Sequence, residues 1–419
     1  MTLIKTSLLN GIAVVIRMLT LLGLNKILAI YVGPSGYAAI GQFQNAVQMI
    51  TTFASGAINN GVTKYTAEYF EDEESQQRLW RTAGTIALCG SVITAITITA
   101  FNEVLAGWFL KDRSLGGVFI WFAATLVFFV FNTLLLAILN GKKEIHLYVT
   151  ANIAGSLFAL VITSAMAIQF GLYGALVSLG IFQSLTFIVT FFLILKKKWF
   201  RLRYLFGVVD PKAARNLAKY GAMALTAAVC LPVSHILVRN HLGVTLGWDA
   251  AGYWEAIWRL SAAYLMLVTT TLGVYYLPRL SEITNPQDLK KEIYQGYKLI
   301  LPFAAACSLV IFLLRDQVIQ ILFTEEFAAM EQLFAWQMFG NTLKIGSWIL
   351  AYVMLGKAMA RTFILTEVIF SALFVMMVVL YTHFFGLVGV SMAYASNFAI
   401  YWLVMFILIR KYINREMGQ

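Results

Sequence analysis

The sequence predicts an all-α integral membrane protein of about twelve transmembrane helices in two six-helix lobes. Three observations lead there: the composition, the length of the apolar runs, and a pattern that returns once at a fixed offset. Of the 419 residues, 60% are hydrophobic and 12% are charged, with a mean hydropathy of +0.78, whereas a soluble domain carries about 25% charged residues. A helix needs about 20 apolar residues to cross the hydrocarbon, and runs of that length recur from Leu8 to Ile409 with short polar gaps. No stretch is left for a soluble catalytic domain.

Hydropathy places the spans at 8–32, 37–61, 82–105, 117–139, 148–169, 174–195, 220–241, 253–277, 299–314, 333–355, 362–384 and 388–409. The first is interrupted by Arg17 and Lys26 and lacks a small-residue cleavage site, so it reads as a retained helix rather than a secretory signal. With the N-terminus in the cytoplasm, one set of loops holds Lys64, Arg78, Arg81, Lys142, Lys143, the basic cluster beginning at Lys196, Lys290, Lys291, Lys357 and Arg410. The other set holds only Lys111, Arg113, Arg239 and Arg315. By the positive-inside rule both termini are then cytoplasmic. The same asymmetry accounts for most of the net charge of +11, and no nucleic-acid partner is needed to explain it.

The internal repeat follows from three echoes. Gly36-Tyr37 returns as Gly252-Tyr253, Gly141-Lys142 as Gly356-Lys357, and Phe170-Gly171-Leu172-Tyr173-Gly174 as Phe385-Gly386-Leu387-Val388-Gly389. All share an offset of about 215 residues, the mark of a duplication. The expected organisation is an N-terminal lobe over 1–198, a cytoplasmic inter-lobe loop over 199–219 containing the end of the basic run Lys196 to Arg203, and a C-terminal lobe over 220–419. Six spans per lobe make the repeats parallel, an arrangement that places substrate sites between lobes in transporters.

Two spans carry polar stripes. The second holds Gly41, Asn45, Gln48, Thr52, Ser55 and Asn59 at helical spacing, which fits either a wet face or packing through small residues and interhelical hydrogen bonds. The tenth holds Gln337, Asn341, Lys344 and Trp348, where the lysine argues against simple packing.

Charge inside the apolar runs is the sharper signal, because a charged residue at bilayer depth costs at least about 2.5–3.5 kcal/mol and persists only when paired, hydrated or useful. The basic candidates are Arg17, Lys26, Arg259 and Lys344; the acidic ones are Glu255 and Glu367. Glu255 and Arg259 have the favourable i,i+4 order for an intrahelical pair, and that pair reads equally as structure or as a coupling site. Arg239 shares a face with His235 beyond Pro232, lining a pathway or snorkelling to the interface. Arg17 and Lys26, nine residues apart, point in nearly opposite directions on a regular helix. The balance leaves about two surplus positive charges in a desolvated interior, suited to an anionic or phosphorylated passenger. Trp254, Trp258, Tyr264, Trp336 and Trp348 are placed to stack on sugar rings or to anchor helices at the interface.

The remaining features point away from chemistry. Cys89, Cys230 and Cys307 lie far apart and read as packing residues. The four histidines form no metal-ligand motif, and no nucleophile elbow or phosphate-binding glycine loop is present, so no catalytic residue, cofactor or metal is expected. The run Glu71-Asp72-Glu73-Glu74 reads as a solvated loop, and Phe327 to Phe334 as an interfacial segment.

Several short motifs resemble a known family. Gly33-Pro34-Ser35-Gly36, Asn60-Gly61-Val62-Thr63-Lys64-Tyr65, Leu314-Arg315-Asp316, Phe334-Ala335-Trp336-Gln337 and Leu343-Lys344-Ile345-Gly346 are similar, in order along nearly the whole chain, to the bacterial O-antigen translocase and lipid III flippase family. That family belongs to the multidrug/oligosaccharidyl-lipid/polysaccharide exporter (MOP) superfamily. The resemblance implies a MATE-like pair of parallel repeats in the inner membrane. It implies a flippase of lipopolysaccharide biosynthesis that moves undecaprenyl-pyrophosphate-linked oligosaccharide to the periplasmic leaflet by alternating access. It also implies a polysaccharide polymerase and chain-length regulator as partners, with a proton or sodium ion as the coupling species. Arg17, Lys26 and Lys344 fall where lipid III flippases carry basic residues, while Asn45, Gln48, Asn59, Arg239, Arg259 and Asn341 are substrate-binding candidates, and Glu255 and Glu367 coupling or structural acids, from the residue argument alone. The lysine of the first span follows Asn25 where the lipid III branch has a small residue, which favours an O-antigen unit over lipid III. Two rivals from other classes are weighed against this. A cation-coupled drug antiporter calls for an acidic lumen, and a membrane polymerase or ligase calls for a large periplasmic loop.

Overall fold

A computed structural model describes residues 3–283, 285–357 and 359–417. The chain is a multi-pass helical membrane protein. In order, its helices are α1 (Leu3–Ala54), α2 (Asn59–Glu68), α3 (Glu73–Ala100), α4 (Asn102–Leu105), α5 (Gly116–Gly141), α6 (Ile145–Leu195), α7 (Pro211–Thr245), α8 (Trp248–Thr271), α9 (Leu277–Glu282), α10 (Pro286–Leu313), α11 (Arg315–Leu322), α12 (Phe334–Gly356), α13 (Ala360–Phe385) and α14 (Val388–Met417). In hydrocarbon every backbone N–H and C=O needs an internal partner, which the helix supplies without help from another segment.

Eight of these helices are long and apolar enough to cross a membrane among the described residues. Two of the eight are double. α1 breaks at Gly33 (φ 68, ψ −179), with Pro34 opening its second half, and α6 breaks at Gly171 (φ 56, ψ −136). The helices that fall short in apolarity are α8 and α12, at 24 and 23 residues. They carry Glu255, Arg259, Asn341 and Lys344, so the polar content that weakens their membrane signal is the content of the candidate site.

Contacts divide the chain into two compact units, one of residues 1–32 and 39–232, the other of 33–38 and 233–419. The division falls at Pro232, within α7.

In unit 1 the core lies on α5, whose Phe119, Phe122, Leu126, Leu134, Leu135 and Ile138 are wholly buried. Phe43 meets Phe119 edge-on with ring centroids 5.4 Å apart. A chain of neutral hydrogen bonds joins α5 to α6: Asn132 Nδ2 donates to Gln183 Oε1 at 2.8 Å, Thr190 Oγ1 donates to Asn132 Oδ1 at 2.7 Å, and Ser184 Oγ donates to the Thr125 carbonyl at 2.8 Å. The segment after α6 folds back on α3. A turn at Leu202–Leu205 lies so close that a Cβ at Gly84 would stand 1.9 Å from the Leu205 carbonyl oxygen, and Thr85 Oγ1 donates to the Gly207 carbonyl at 2.9 Å.

In unit 2 the core lies on α12, where Ile345, Ile349, Val353 and Met354 are buried. The helix break at Gly171 has a counterpart here, Gly386 (φ 58, ψ −140), between α13 and α14. A side chain is strained at these angles, so the glycine of the five-residue echo is required by the turn in both places. The Gly-Tyr echo also has a cause: Tyr37 and Tyr253 both meet Phe327 edge-on, at 5.1 and 6.1 Å.

Several boundaries differ from expectation. The second span ends at Ala54, before Gly56 and Ala57 take positive φ, so Asn59 starts a separate short helix and does not continue the stripe of Asn45 and Gln48. The acidic run is no loop: Asp72 caps α3, its carboxylate accepting the Ser75 amide at 3.0 Å, and Glu73 and Glu74 fill the first turn, where the helix dipole favours them. That amide donation holds the Asp72 carboxyl below its ordinary value. α10 begins at Pro286 rather than near 299, because Asn285 caps it and Pro286 suits the first helical position. The stretch 325–333 is a 3-10 helix whose Phe327, Met330 and Leu333 are wholly buried against protein.

Candidate functional site

Each unit presents a separate cationic locality. In unit 1, Arg17 lines a recess of about 150 Å3 with Thr20, Asn152, Ser156, Gln183 and Thr186. Arg17 itself is exposed. Lys26, half-buried, lies outside that recess, as the nine-residue separation requires. Asn45 is half-buried, and its amide nitrogen has no partner among the described residues. Gln48 is exposed. Asn59 Nδ2 donates to Thr133 Oγ1 at 3.2 Å, which ties α2 to α5.

Unit 2 is built around a buried ion pair. Glu255, two turns into α8, and Arg239 of α7 are each 2% exposed. Arg239 donates to a single carboxylate oxygen of Glu255 from Nε at 3.0 Å and from Nη2 at 2.5 Å. Arg259 approaches the other oxygen at 4.0 Å and lies over the Tyr37 ring at 5.6 Å. The carboxylate that the sequence pairs with Arg259 is therefore held chiefly by Arg239, which is drawn inward rather than snorkelling. Helices α7 and α8 are antiparallel neighbours, and that geometry is invisible to an i,i+4 argument.

Lys344 sits midway along α12, half-buried. Its Nζ lies 4.7 Å from the ring centre of Trp258, 4.7 Å from Trp348 and 5.8 Å from Phe398. It makes no ion pair among the described residues. Cation–π contacts are worth roughly 0.5–2 kcal/mol each, so the two closest offset much of the roughly 2.5–3.5 kcal/mol needed to hold a lysine at bilayer depth. The aromatic box stabilises the charge without neutralising it. The buried His235 extends the box, its ring edge-on to Trp258 at 4.2 Å and to Trp254 at 5.2 Å.

Asn341, one turn before Lys344, is committed to the protein. Its Nδ2 donates to Ser261 Oγ at 2.9 Å and to Tyr264 OH at 2.7 Å, and its Oδ1 accepts from Tyr394 OH at 2.9 Å. Glu367 is half-buried on α13 and makes no ion pair among the described residues. The structure thus brings Arg239, Glu255 and Arg259 together, links Lys344 to them through the adjoining rings of Trp254 and Trp258, and leaves Glu367 apart. Sequence reasoning anticipates Trp258 and Trp348 but not Phe398, Tyr394 or Tyr37; the i,i+4 spacing of Tyr394 and Phe398 on α14 is the one signal available. Among the described residues, Arg239, Arg259 and Lys344 gather near the carboxylate of Glu255, and a surplus of positive charge attracts anions and repels cations. Among the described residues no group of His, Cys, Asp and Glu is arranged to hold a metal.

A family model described as "Polysaccharide biosynthesis protein" matches residues 27–332. Lipid III flippases of Escherichia coli (strain K12) and Shigella flexneri are each 30% identical over 407 residues, covering 96% of this chain and 97% of theirs. Among solved structures, the inward-facing conformation of a multidrug resistance MATE family transporter of the MOP superfamily superposes with a TM-score of 0.79. It is 17% identical, over 97% of this chain and 99% of that one. A MOP superfamily transporter from Pyrococcus furiosus superposes with a TM-score of 0.71 at 15% identity, over 97% of this chain and 96% of that one. At those identities the structural likeness carries the fold alone.

Proposed function

The chain belongs to the polysaccharide-biosynthesis flippase family of the MOP superfamily, and on that premise we propose that it translocates an undecaprenyl-pyrophosphate-linked oligosaccharide across the bacterial inner membrane. The headgroup passes from the cytoplasmic to the periplasmic leaflet by alternating exposure of the site, with both chain termini in the cytoplasm. Family membership makes the chain a transporter rather than an enzyme. The observation that carries the substrate reading is Lys344, a cation held at mid-span by aromatic rings without a carboxylate.

Lys344 supplies a point charge to the pyrophosphate, and Trp258 and Trp348 offer faces to the first sugar. Arg259, held loosely by Glu255, is a second phosphate contact. Arg239 holds the Glu255 carboxylate in place. The polar headgroup is thereby spared bare hydrocarbon, where each unsatisfied polar group costs several kcal/mol. Arg17 and Lys26 give unit 1 basic residues of its own, and Glu367 is the carboxylate available to couple transport to a proton or sodium ion. A drug antiporter of the same superfamily fits less well, because an organic cation would meet Arg239, Arg259 and Lys344. Polymerase and chain-length regulator are the expected partners downstream.

The cargo is an O-antigen repeat unit in this reading. A second reading, lipid III, is favoured by the 30% identity to lipid III flippases along nearly the full chain. Complementation separates them: expressed in strains lacking either flippase, the protein restores O-antigen and not enterobacterial common antigen if the first reading holds. Lys344→Met at equal membrane abundance lowers glycan export at least tenfold, and Lys344→Arg recovers part of it. Normal export by Lys344→Met overturns the charge role.

A further inference from the structure

We propose that residues 196–215, which lead from α6 into α7 within unit 1, form a surface that binds anionic phospholipid at the edge of the bilayer. Seven of these twenty residues are Lys or Arg, and one, Asp210, is acidic.

The depth of the segment is set by α3. Past Arg81 that helix carries no charge up to its end at Ala100, an uncharged length of about 28 Å at 1.5 Å per residue, close to the roughly 30 Å of hydrocarbon. Thr82, Gly84 and Thr85 therefore stand where the hydrocarbon begins, and the segment is fastened to all three. Asp210 donates its amide to Thr82 Oγ1 at 3.0 Å. Thr85 Oγ1 donates to the Gly207 carbonyl at 2.9 Å and accepts the Gly207 amide at 3.3 Å. The Leu205 carbonyl fills the space that a Cβ at Gly84 would need, and Leu205 itself turns inward and is buried.

Two chemistries are left facing outward. Leu202, Phe206, Val208 and Val209 are exposed, Val208 to 91%, at a level where α3 is already apolar. Such side chains are stabilised at the rim of a bilayer, where they enter the acyl chains. Lys196, Lys198, Arg201, Arg203, Lys212 and Arg215 are also exposed, and none of them makes an ion pair among the described residues. Arg81 runs along the segment, since a Cβ at Gly207 would stand 3.3 Å from its Cδ. Neighbouring carboxylates are engaged elsewhere. Lys197 and Trp199 hold Glu144 at 2.9 and 3.3 Å, Arg78 holds Glu74, and Asp210 accepts the Lys212 amide at 3.0 Å.

This pairing selects the occupant. Unpaired cations beside apolar side chains at the start of the hydrocarbon match a ligand whose phosphate lies at the surface and whose acyl chains lie beneath it. A nucleic acid or an acidic protein brings the anion without the acyl chains. A zwitterionic phospholipid brings both but carries its own ammonium, which the cluster repels. Phosphatidylglycerol has a phosphate with no such counter-charge.

The test uses the full-length protein in vesicles of phosphatidylethanolamine and phosphatidylcholine, with a trace of photoactivatable phosphatidylglycerol or photoactivatable phosphatidylethanolamine. Both probes carry a diazirine at the same acyl carbon near the ester. The phosphatidylglycerol probe is expected to label residues 201–209 at least fivefold more than the phosphatidylethanolamine probe, and inorganic phosphate at constant ionic strength should not compete. Lys196→Gln, Lys198→Gln, Arg201→Gln and Arg203→Gln combined should abolish the preference and leave labelling by the phosphatidylethanolamine probe unchanged. Leu202→Ser with Val208→Ser, both at exposed positions, should lower labelling by both probes and preserve the preference. Equal labelling of the wild-type segment by the two probes, a preference that survives loss of the four cations, or competition by inorganic phosphate overturns the proposal. So does the absence of label from residues 201–209 with either probe, which would take the segment off the bilayer.

Discussion

Unit 1 and unit 2 are built from the same local devices around interiors of different chemistry. Gly171 and Gly386 turn the chain at nearly identical angles, and the Gly-Lys echo closes α5 and α12 in the same way. Gly141 admits Thr66 of the short helix α2, Gly356 admits Leu280 of the short helix α9, and the lysines that follow bind Gln76 Oε1 and the Ile283 carbonyl. Between those turns the units part. Unit 1 joins α5 to α6 with neutral hydrogen bonds through Asn132, Gln183 and Thr190. Unit 2 buries an Arg–Glu pair and a lysine in an aromatic box. The positions that make the helices turn and pack recur in both units. The buried ion pair lies in unit 2, the unit that carries the substrate chemistry in the proposed account.

The largest expected effect falls on the ion pair. Glu255→Gln removes the buried carboxylate to which Arg239 donates and should destabilise the protein by roughly 3–5 kcal/mol, read as lowered thermal stability in detergent. Arg239→Met combined with Glu255→Gln should recover most of that loss. If the double variant is no more stable than the single, the two residues do not act as a pair.

Gly171→Ala and Gly386→Ala sharpen the comparison from the other side. Each places a side chain at strained angles, at a cost of about 1–3 kcal/mol, and the two losses should match within error because the turns match. A large difference between them means the echo is not structurally equivalent.

Asn132→Ala in unit 1 should cost about 0.6–1.7 kcal/mol, the range for interhelical hydrogen bonds in membranes, and leave export per folded molecule unchanged. A selective loss of export would move the polar network of unit 1 from packing into the transport pathway. The smallest effect belongs to Arg17→Gln. An exposed charge contact is worth about 0–1 kcal/mol, so export should fall less than about fivefold. A loss as deep as that of Lys344→Met would place the main phosphate contact in unit 1.

Helical class, span number and the paired turn glycines are legible in the sequence because they depend on local properties, apolar length and backbone conformation. The charges were legible as well, since a lysine in an apolar run is conspicuous wherever its partners lie. What surrounds them was not. Arg239 reaches Glu255 from the preceding helix, and Phe398 meets Lys344 from the last one; both contacts depend on tertiary packing. Asn341 reads like a pathway residue on a polar stripe, but three partners from α8 and α14 occupy its amide. Asn59 reads as part of the stripe above it because hydropathy does not register the positive φ of Gly56 and Ala57.

The central claim is that Lys344 is an anion site held open by Trp258 and Trp348. Its most direct test is the tryptophan emission of reconstituted protein during titration with undecaprenyl pyrophosphate. Wild-type protein should show a saturable change as the ammonium shifts from the ring faces towards the pyrophosphate, and Lys344→Met should show none. An equal, saturable change in both proteins would contradict the account.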